Sequence, residues 1–343
     1  YAVPDYQRAY VWKAPQVEQL LLDVVEEMPS GPANGRPTEY FIGSIVVCPG
    51  ADGVLDLVDG QQRMTTLFII LCALRDRLRE LKDTVQTPID GQLAAQSMDD
   101  YGRSLRRHRL ELQYEDAKGV LEGLAEHGKL SGLIKTDSAE NIAAAYATAS
   151  AFLAREFGAD PGKVRAFYAY LVNRVKLIRI MTEGVAKALK IFETVNDRGV
   201  SLDSMDLLKN LLFIRAGQEE FGKLKGIWDQ LQQELRSAGE KPLRFLRYFI
   251  LSRFAVEQLR EDAIYDWLKK NEGLVGFGDK PLVFAGELLD AARAYGRFLR
   301  AEGEDGKLRP ALQSMRLLGG NAARQHLILL LAGRHLPPAL FDR

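Results

Sequence analysis

Five consecutive residues, Asp59-Gly60-Gln61-Gln62-Arg63, join a short apolar run to a long helical pattern. A helix N-terminus carries unpaired backbone N–H groups and a partial positive charge, so it suits a phosphate. Gly60 lets a ligand approach the backbone closely. Arg63 can pair with a phosphate in bidentate fashion, and Gln61 or Gln62 can orient a water or read a base edge. We therefore interpret these residues as the centre of a nucleotide or phosphate site.

The same residues also have a purely structural interpretation. Asp59 with Gln62 three residues later is a capping-box pattern, and that pattern alone stabilises the start of a helix. Composition and spacing leave the two interpretations about equally open. The density of polar side chains beside an apolar helix favours a ligand site over a cap alone.

A second polar group lies at a predicted junction between two helices. Asn196-Asp197-Arg198-Gly199 ends the first helix and Asp203 starts the next, which is typical of a turn followed by a cap. With Lys209 further along, the same side chains can instead form a second wall of a phosphate site. Asp59 and Asp197 are the first candidates for Mg²⁺, which commonly takes one or two carboxylates together with phosphate oxygens. The chain has no GxxxxGK[ST] loop, which excludes a P-loop NTPase at the level of motifs.

Two further segments carry arginine side chains, the first among aromatic residues and the second in a dense basic cluster. The segment from Pro4 to Trp12 is rich in aromatic residues and includes Tyr6, Gln7 and Arg8. For it we favour rings packed on the core over a surface that stacks on a nucleotide or nucleic acid. The densest basic cluster is usually a solvated face, with a DNA-backbone patch as the less common alternative. It comprises Arg103, Arg106, Arg107, His108 and Arg109.

Hydrophobic periodicity predicts the elements that position these groups. It predicts an α+β chain in which a small sheet is embedded in helices and a mainly helical region follows. We expect a first domain over residues 1–215 and a second over residues 216–343. The predicted helices are 15–28, 61–81, two within 114–157 separated by 128–136, 162–175, 184–195, one from 203, and most of 219–340; the strands are 40–47, 54–58 and 176–181, and 82–99 is predicted as a loop.

Composition limits the classes of function. The 343 residues carry 46 basic and 46 acidic side chains, so overall charge does not indicate a wholesale electrostatic grip on nucleic acid. Cys48 and Cys72 lie in apolar runs, which disfavours a disulfide framework and fits a reducing cytoplasm. The longest apolar run, 67–74, is too short to span a bilayer, so we expect no membrane segment. The chain opens inside a motif, and we expect further residues before it.

Three segments together resemble a known family. They are residues 1–12, residues 40–47 with 58–67, and residues 192–202 with 206–210. In this order they are similar to the N-terminal module of GmrSD-type, modification-dependent restriction proteins, a group that includes the SspE effectors of phosphorothioate-based phage defence. Met64 stands where the family commonly has Leu, and Asp203-Ser204 departs from its usual Ser or Thr. The resemblance implies a fold similar to the ParB/sulfiredoxin fold, with added helices.

The resemblance also implies roles for particular residues. Asp59, Gln61, Gln62 and Arg63 would be the catalytic part of a nucleotide site that includes Gly60. The second family motif would complete nucleotide binding with Asn196, Asp197, Arg198, Gly199 and Lys209. Tyr6, Gln7 and Arg8 match the first motif, and we assign DNA or modification sensing to them together with Arg103, Arg106 and Arg107. The helical region would lead to a C-terminal HNH-type nuclease, whose residues are not part of this sequence. The sequence leaves open whether the native protein carries that nuclease in the same chain or in a partner.

We therefore expect a regulatory module that hydrolyses a nucleoside triphosphate, GTP or a related one, with Mg²⁺. Its turnover would couple the sensing of modified DNA to control of a nuclease. One alternative is a non-catalytic DNA-binding module that uses the same Gln/Arg motif, and another is a ParB-like nuclease. The sequence leaves open the nucleotide, the DNA modification, the general base and homo-oligomerisation.

Overall fold

The computed structural model describes residues 1–4, 7–29, 38–50, 53–85, 87–98, 101–102, 104–114, 117–128, 136–196, 204–216, 218–256, 258–319, 324–337 and 341. The chain divides into two compact units, Tyr1–Thr194 and Val195–Arg343. Each unit is described here by itself. The domain boundary near residue 215 stays a prediction, because compactness alone does not delimit a functional domain.

Strands and helices are mixed along the first part of the chain. In chain order the described elements are β1 (Ala2–Val3), α1 (Ala14–Glu26), β2 (Tyr40–Pro49), β3 (Leu55–Asp59), α2 (Gln61–Glu80), α3 (Ile89–Leu93), β4 (Ala94–Met98), β5 (Ser104–His108), β6 (Glu111–Leu112), α4 (Val120–His127), α5 (Asp137–Phe157), α6 (Pro161–Asn173), β7 (Val175–Met181) and α7 (Val185–Asn196).

A small mixed sheet organises the first unit. Its strand order is β6-β1-β3-β2-β7. β2 and β3 are antiparallel neighbours, with Val47 opposite Leu57, whereas β1 lies parallel to β3 and β7 parallel to β2. The predicted α+β class, with a small sheet embedded in helices, is confirmed. The closer likeness to a ParB/sulfiredoxin fold stays a prediction.

Helix α2 is the central helix of this unit. It was predicted over 61–81 and packs against α3, α4, α5 and α6. Its predicted apolar face includes Met64, Leu67, Phe68, Leu71, Leu74 and Leu78, and of these Phe68, Leu74 and Leu78 are buried. Met64 and Leu67 of that face are only partly buried, while Thr65 and Ile69 elsewhere on the helix are buried. A helix that is buried on most sides has a fixed position, and its N-terminus is therefore a rigid platform.

The predicted loop over 82–99 is wrong, because α3 and β4 lie there. β4 pairs with β5 as a separate antiparallel ribbon, with Gln96 opposite Arg106 and Ala95 opposite Arg107. We call this two-stranded element the β4–β5 ribbon. Its strands are short and their sequences carry no alternation of apolar and polar residues, so only the pairing itself defines them.

The second unit is helical over its described residues, as predicted. Its helices are α8 (Ser204–Arg215), α9 (Phe221–Ser237), α10 (Pro242–Arg253), α11 (Ile264–Lys270), α12 (Glu272–Val275), α13 (Pro281–Leu299), α14 (Pro310–Gly319) and α15 (His326–Gly333). Aromatic side chains fill its core. The rings of Phe245 and Tyr295, for example, pack edge to face with their centroids 5.6 Å apart. Across both units, no described helix is long and apolar enough to cross a membrane.

A buried carboxylate lies at the centre of the second unit. Oε1 of Glu240 accepts hydrogen bonds from the Lys241 backbone N–H at 2.7 Å and from Arg244 Nε at 2.6 Å. Oε2 accepts from the Tyr295 hydroxyl at 2.6 Å and from Arg324 Nη1 at 2.8 Å. Burial acts to raise the pKa of Glu240, but the bonds from Tyr295, Arg244 and the Lys241 backbone outweigh it and lower the pKa. We call this set the Glu240 network.

Candidate functional site

The start of α2 is set by the backbone of Gly60. Its φ of 84° lies in the left-handed region, where a residue with a side chain is strained. A Cβ at Gly60 would also lie 2.6 Å from Cγ2 of Ile45 and 3.2 Å from the carbonyl oxygen of Ser44. The packing of β2 against this turn therefore requires glycine, independently of any ligand.

The predicted capping box between Asp59 and Gln62 is wrong. Asp59 is the last residue of β3, and its Oδ1 accepts a hydrogen bond from the Gly60 N–H at 2.7 Å, outside the helix. The side chain of Gln62 is bound by another segment of the chain. Within the described residues, the backbone N–H groups of Gln61, Gln62 and Arg63 therefore have no side-chain cap.

The two glutamines hold the N-terminal segment of the chain. Gln62 Oε1 accepts from the Val11 N–H at 2.9 Å and its Nε2 donates to the Ala9 carbonyl at 3.1 Å, so one side chain pairs with the backbone as a neighbouring strand would. Gln61 Nε2 donates to the carbonyl of Arg8 at 3.1 Å. The N-terminal segment and the Asp59–Arg63 motif are thus joined directly, by amide side chains on backbone atoms.

Arg63 binds the neighbouring strand β2. Its Nη1 donates to the carbonyls of Ile42 at 3.1 Å and Ser44 at 3.0 Å, on either side of Gly43. Gly43 has a φ of 114°, and a Cβ there would overlap Nη1 of Arg63. The register of β2 against β7 shifts at the same place. No other hydrogen bond of the guanidinium to a described residue is present. We call residues 59–63 with these backbone partners the α2 junction.

Tyr10 anchors the N-terminal segment beneath the junction. It is almost completely buried, and its hydroxyl lies 2.8 Å from Thr66 Oγ1 of α2. Burial raises the pKa of Tyr10 to about 12. Asn141 Nδ2 donates to the Tyr10 carbonyl at 3.1 Å. For this ring the interpretation that aromatic residues of the segment pack on the core is correct.

The electrostatics of the junction centre on Asp59. Burial raises the pKa of its carboxyl group, and the Gly60 N–H and the charge of Arg63 act in the opposite direction. Two nearby amide atoms are buried without a hydrogen-bond partner among the described residues, Gln61 Oε1 and Gln7 Nε2. Buried polar atoms are seldom left unpaired, so each such atom in a folded protein marks a place where a further group fits.

Several predicted site residues lie outside the described residues. These are Tyr6, Arg103, Asp197, Arg198 and Gly199, and the side chain of Asn196, whose backbone ends α7. Lys209 lies on α8 in the second unit and is half-buried. Arg106 and Arg107 lie on β5 and are exposed. The assignment of roles to all of these residues, and to Asp59–Arg63, stays a prediction.

A cavity of about 560 Å³ lies in the same unit, and no motif or periodicity indicated it. Side chains of α2, including Met64, Leu67 and Leu71, form one wall, and Arg107 of the β4–β5 ribbon belongs to another. We call it the α2 cavity. Its lining comes from elements far apart in the chain. Only the half-buried state of Met64, Leu67 and Leu71 distinguishes them from the other apolar residues of α2, and periodicity cannot reveal that.

Comparison with known families identifies the chain. The sequence profile of the GmrSD restriction endonuclease N-terminal domain matches residues 1–213, more than half of the sequence. The chain belongs to this family. A comparison with curated proteins gives no match.

Membership of the GmrSD N-terminal family places the α2 junction in a biological setting. The match spans the first unit, including both segments that Gln61 and Gln62 hold together. The family has a role in restriction systems and in defence against phage, which implies interaction with DNA and a nuclease-bearing partner domain. The expected restriction-protein family is therefore confirmed.

Proposed function

We propose that this GmrSD N-terminal domain binds and hydrolyses a nucleoside triphosphate, with the phosphates at the N-terminus of α2. One observation carries the proposal. The first-turn N–H groups of a 20-residue buried helix have no side-chain cap, and they lie beside a half-buried carboxylate, Asp59. Such N–H groups, together with the helix dipole, favour an anion.

The junction residues fit distinct parts of this reaction. The backbone N–H groups of Gln61, Gln62 and Arg63 would bind the phosphate oxygens. Arg63 uses Nη1 on β2, so its Nε–Nη2 edge can still reach a phosphate oxygen. The raised pKa of Asp59 suits a group that accepts a proton from the attacking water. The water oxygen would bond to the γ-phosphorus as the bond to the β–γ bridging oxygen breaks, and Gln61 Oε1, which has no partner among the described residues, would orient that water.

Magnesium fits this donor set only in part. No described group of three or more His, Cys, Asp or Glu side chains can hold a metal ion. Mg²⁺ usually takes one or two carboxylates and completes its shell with phosphate oxygens and waters, so Asp59 would supply one protein ligand. A carboxylate bound to the ion is less basic, so in that complex Asp59 would not also accept the proton. When bound, the ion would neutralise charge that develops on the phosphate oxygens.

The wider proposal concerns coupling. Turnover at the α2 junction would report the binding of DNA, modified DNA in particular, to the nuclease that the family implies, in the cytoplasm of the cell. GTP or a related nucleotide is the expected substrate. A homo-oligomer of the domain is compatible with this proposal. The support for this wider proposal is the family match, together with the direct link between the N-terminal segment and the Asp59–Arg63 motif.

A second candidate function is DNA binding without catalysis. It is favoured by the exposed Arg106 and Arg107 on the β4–β5 ribbon, a shape that fits a DNA groove. The Gln/Arg motif itself is a weaker DNA reader, because Gln62 and Arg63 already bind backbone atoms of their own chain. A nuclease centre at the motif has no support beyond the fold resemblance.

The test is phosphate release from ATP, GTP, CTP and UTP with Mg²⁺, with and without DNA. Asp59→Asn keeps the oxygen that accepts from Gly60 but removes the proton acceptor, so we expect turnover to fall about 100-fold or more. Asp56→Asn, on the same strand, is the matched control and should leave turnover within about twofold. Unchanged turnover in Asp59→Asn, or none in the wild-type chain with any nucleotide, contradicts the proposal.

A further inference from the structure

The α2 cavity is not used by the proposed hydrolysis. We propose that it receives a nucleobase turned out of a DNA duplex, with basic side chains at its mouth on the flanking phosphates. This inference rests on the DNA sensing in the proposed function, and it adds a site and a class of ligand. The volume of about 560 Å³ lies within the range of about 300–1,000 Å³ that is typical of ligand pockets.

The floor of the cavity suits the flat face of a base. Met64, Leu67 and Phe68 of α2 lie on one side, and Leu171 and Leu177 lie at the end of α6 and on β7. Leu177 and Val172 are also more than a third exposed, so the apolar surface continues to the mouth. Enzymes that extrude a base hold it between apolar or aromatic side chains of this kind.

Polar side chains, His108 among them, interrupt the apolar lining and can meet the edge of a base. Gln92 and Glu111 both line the cavity. A carboxylate accepts from the exocyclic amino group of a base, and an amide can donate and accept along the same edge. A few convergent polar groups in an otherwise apolar pocket are the usual means of orienting a ligand.

The mouth carries the positive charge that phosphates require. Arg107 and Arg109 line the cavity, and Arg109 is held in place because its Nε donates to the Gly91 carbonyl at 3.1 Å. Arg106 lies beside Arg107 on the same exposed strand of the β4–β5 ribbon. Met98 and Tyr101, at the far end of the ribbon, are 75% and 83% exposed. Exposed apolar side chains on a basic element are the groups that wedge between base steps.

The cavity also touches the α2 junction through covalently adjacent atoms. Ile42 lines the cavity, and its carbonyl accepts from Arg63 Nη1 at 3.1 Å. Met64, the residue after Arg63, lines the cavity as well. A base in the cavity would therefore contact Ile42, which accepts a hydrogen bond from Arg63, and Met64, which follows Arg63 in the chain. These two contacts provide a physical route by which DNA binding is coupled to the nucleotide site.

The experiment uses the full chain and a duplex with a single 2-aminopurine, whose fluorescence rises when the base leaves the stack. Leu177→Trp fills the mouth of the cavity. Ile178→Trp is the matched control, because Ile178 is the next residue on β7, is 55% exposed and does not line the cavity. Fluorescence anisotropy at several salt concentrations measures DNA affinity in parallel.

We expect the wild-type chain and Ile178→Trp to raise the fluorescence, and Leu177→Trp to reduce that rise about fivefold or more at unchanged affinity. An undiminished rise in Leu177→Trp overturns the inference. Duplex binding without any rise overturns it too, while leaving nucleotide hydrolysis and DNA sensing in place. Absence of DNA binding overturns DNA sensing as well, and leaves hydrolysis to its own test.

A third arm separates the two sources of a base. 2-Aminopurine riboside triphosphate replaces the duplex, and its binding is followed by its own fluorescence. If Leu177→Trp blocks this free nucleotide while the duplex gives no rise, the cavity serves the nucleotide substrate, and the proposal of an extruded base is wrong. If the free nucleotide binds equally to Leu177→Trp and wild type, the result supports DNA as the source.

Discussion

The α2 junction of the first unit and the Glu240 network of the second unit are both buried polar clusters, but only one of them is complete. Each oxygen of Glu240 accepts two hydrogen bonds, and every donor comes from its own unit. At the α2 junction the side chains bind backbone atoms, while Gln61 Oε1 and Gln7 Nε2 are buried without a partner among the described residues.

The difference indicates what each cluster is for. A polar network that satisfies all its members stabilises and specifies a fold. A network with unpaired atoms is less stable than it needs to be, and such local departures are expected at functional sites. The comparison therefore supports the α2 junction as a ligand site and the Glu240 network as a structural one. Variants of either cluster can test it.

The largest effect should come from breaking the complete network. Glu240→Ala removes the carboxylate from the buried Tyr295 hydroxyl and from the partly buried Arg244 and Arg324, so we expect the second unit to lose about 3 kcal/mol of unfolding free energy. Urea unfolding followed by tryptophan fluorescence measures it. In a Trp12→Phe background the remaining tryptophans, Trp228 and Trp267, report only this unit.

Glu304→Ala is the control for that experiment. Glu304 is exposed, and we expect its removal to change the unfolding free energy by less than about 0.5 kcal/mol. If Glu240→Ala is no more destabilising than Glu304→Ala, the network does not stabilise the second unit and the comparison fails.

An intermediate effect is expected at the α2 junction. Gln62→Leu leaves the Val11 N–H and the Ala9 carbonyl without their partners, at a cost of about 2 kcal/mol, or about 30-fold faster amide exchange at Val11. Gln61→Leu loses one bond but also removes a buried unpaired oxygen, so its cost should stay below about 1 kcal/mol. Hydrogen exchange of residues 7–13 compares the two variants. Equal exchange would show that the two glutamines are equivalent.

The smallest effect should be a gain. Because the pKa of Asp59 is raised in the folded state, its contribution to stability is fully present below the unfolded pKa and is lost as the pH rises through the folded value. At neutral pH the ionised carboxylate therefore disfavours folding. We expect Asp59→Asn to raise the Tm of the first unit at pH 7. The gain should vanish at a pH below the ordinary pKa of an aspartate side chain. A lower Tm of Asp59→Asn at pH 7 would contradict the inference that burial disfavours the ionised carboxylate of Asp59.

Local patterns were enough to predict some elements. The burial of Leu21 and Val24 in α1, the β2–β3 pair and the whole of α2 follow from periodicity in short windows. The start of α2 at Gln61 was predicted, but its capping was misjudged, because the left-handed conformation of Gly60 depends on Ile45 and Ser44 of another strand. No local window contains that contact.

The candidate site was only partly predictable for the same reason. The residue types of Asp59–Arg63 indicated a phosphate site, but the partners of Gln62 and Arg63 lie 51 and 21 residues away in the sequence. The α2 cavity combines α2, β5, β6 and β7, and it exists only once the sheet order is known. The second family motif, residues 196–199, lies mostly outside the described residues, so its place remains a prediction.

The bonds that Gln61 and Gln62 make have a consequence for how this domain can diversify. They end on main-chain atoms of Arg8, Ala9 and Val11, which any residue other than proline supplies in the same way. The bonds from Gln61 and Gln62 thus do not depend on which side chains the segment carries, although the buried Tyr10 side chain adds its own contact with Thr66. Selection can exchange the side chains that this segment presents outward without loosening these bonds.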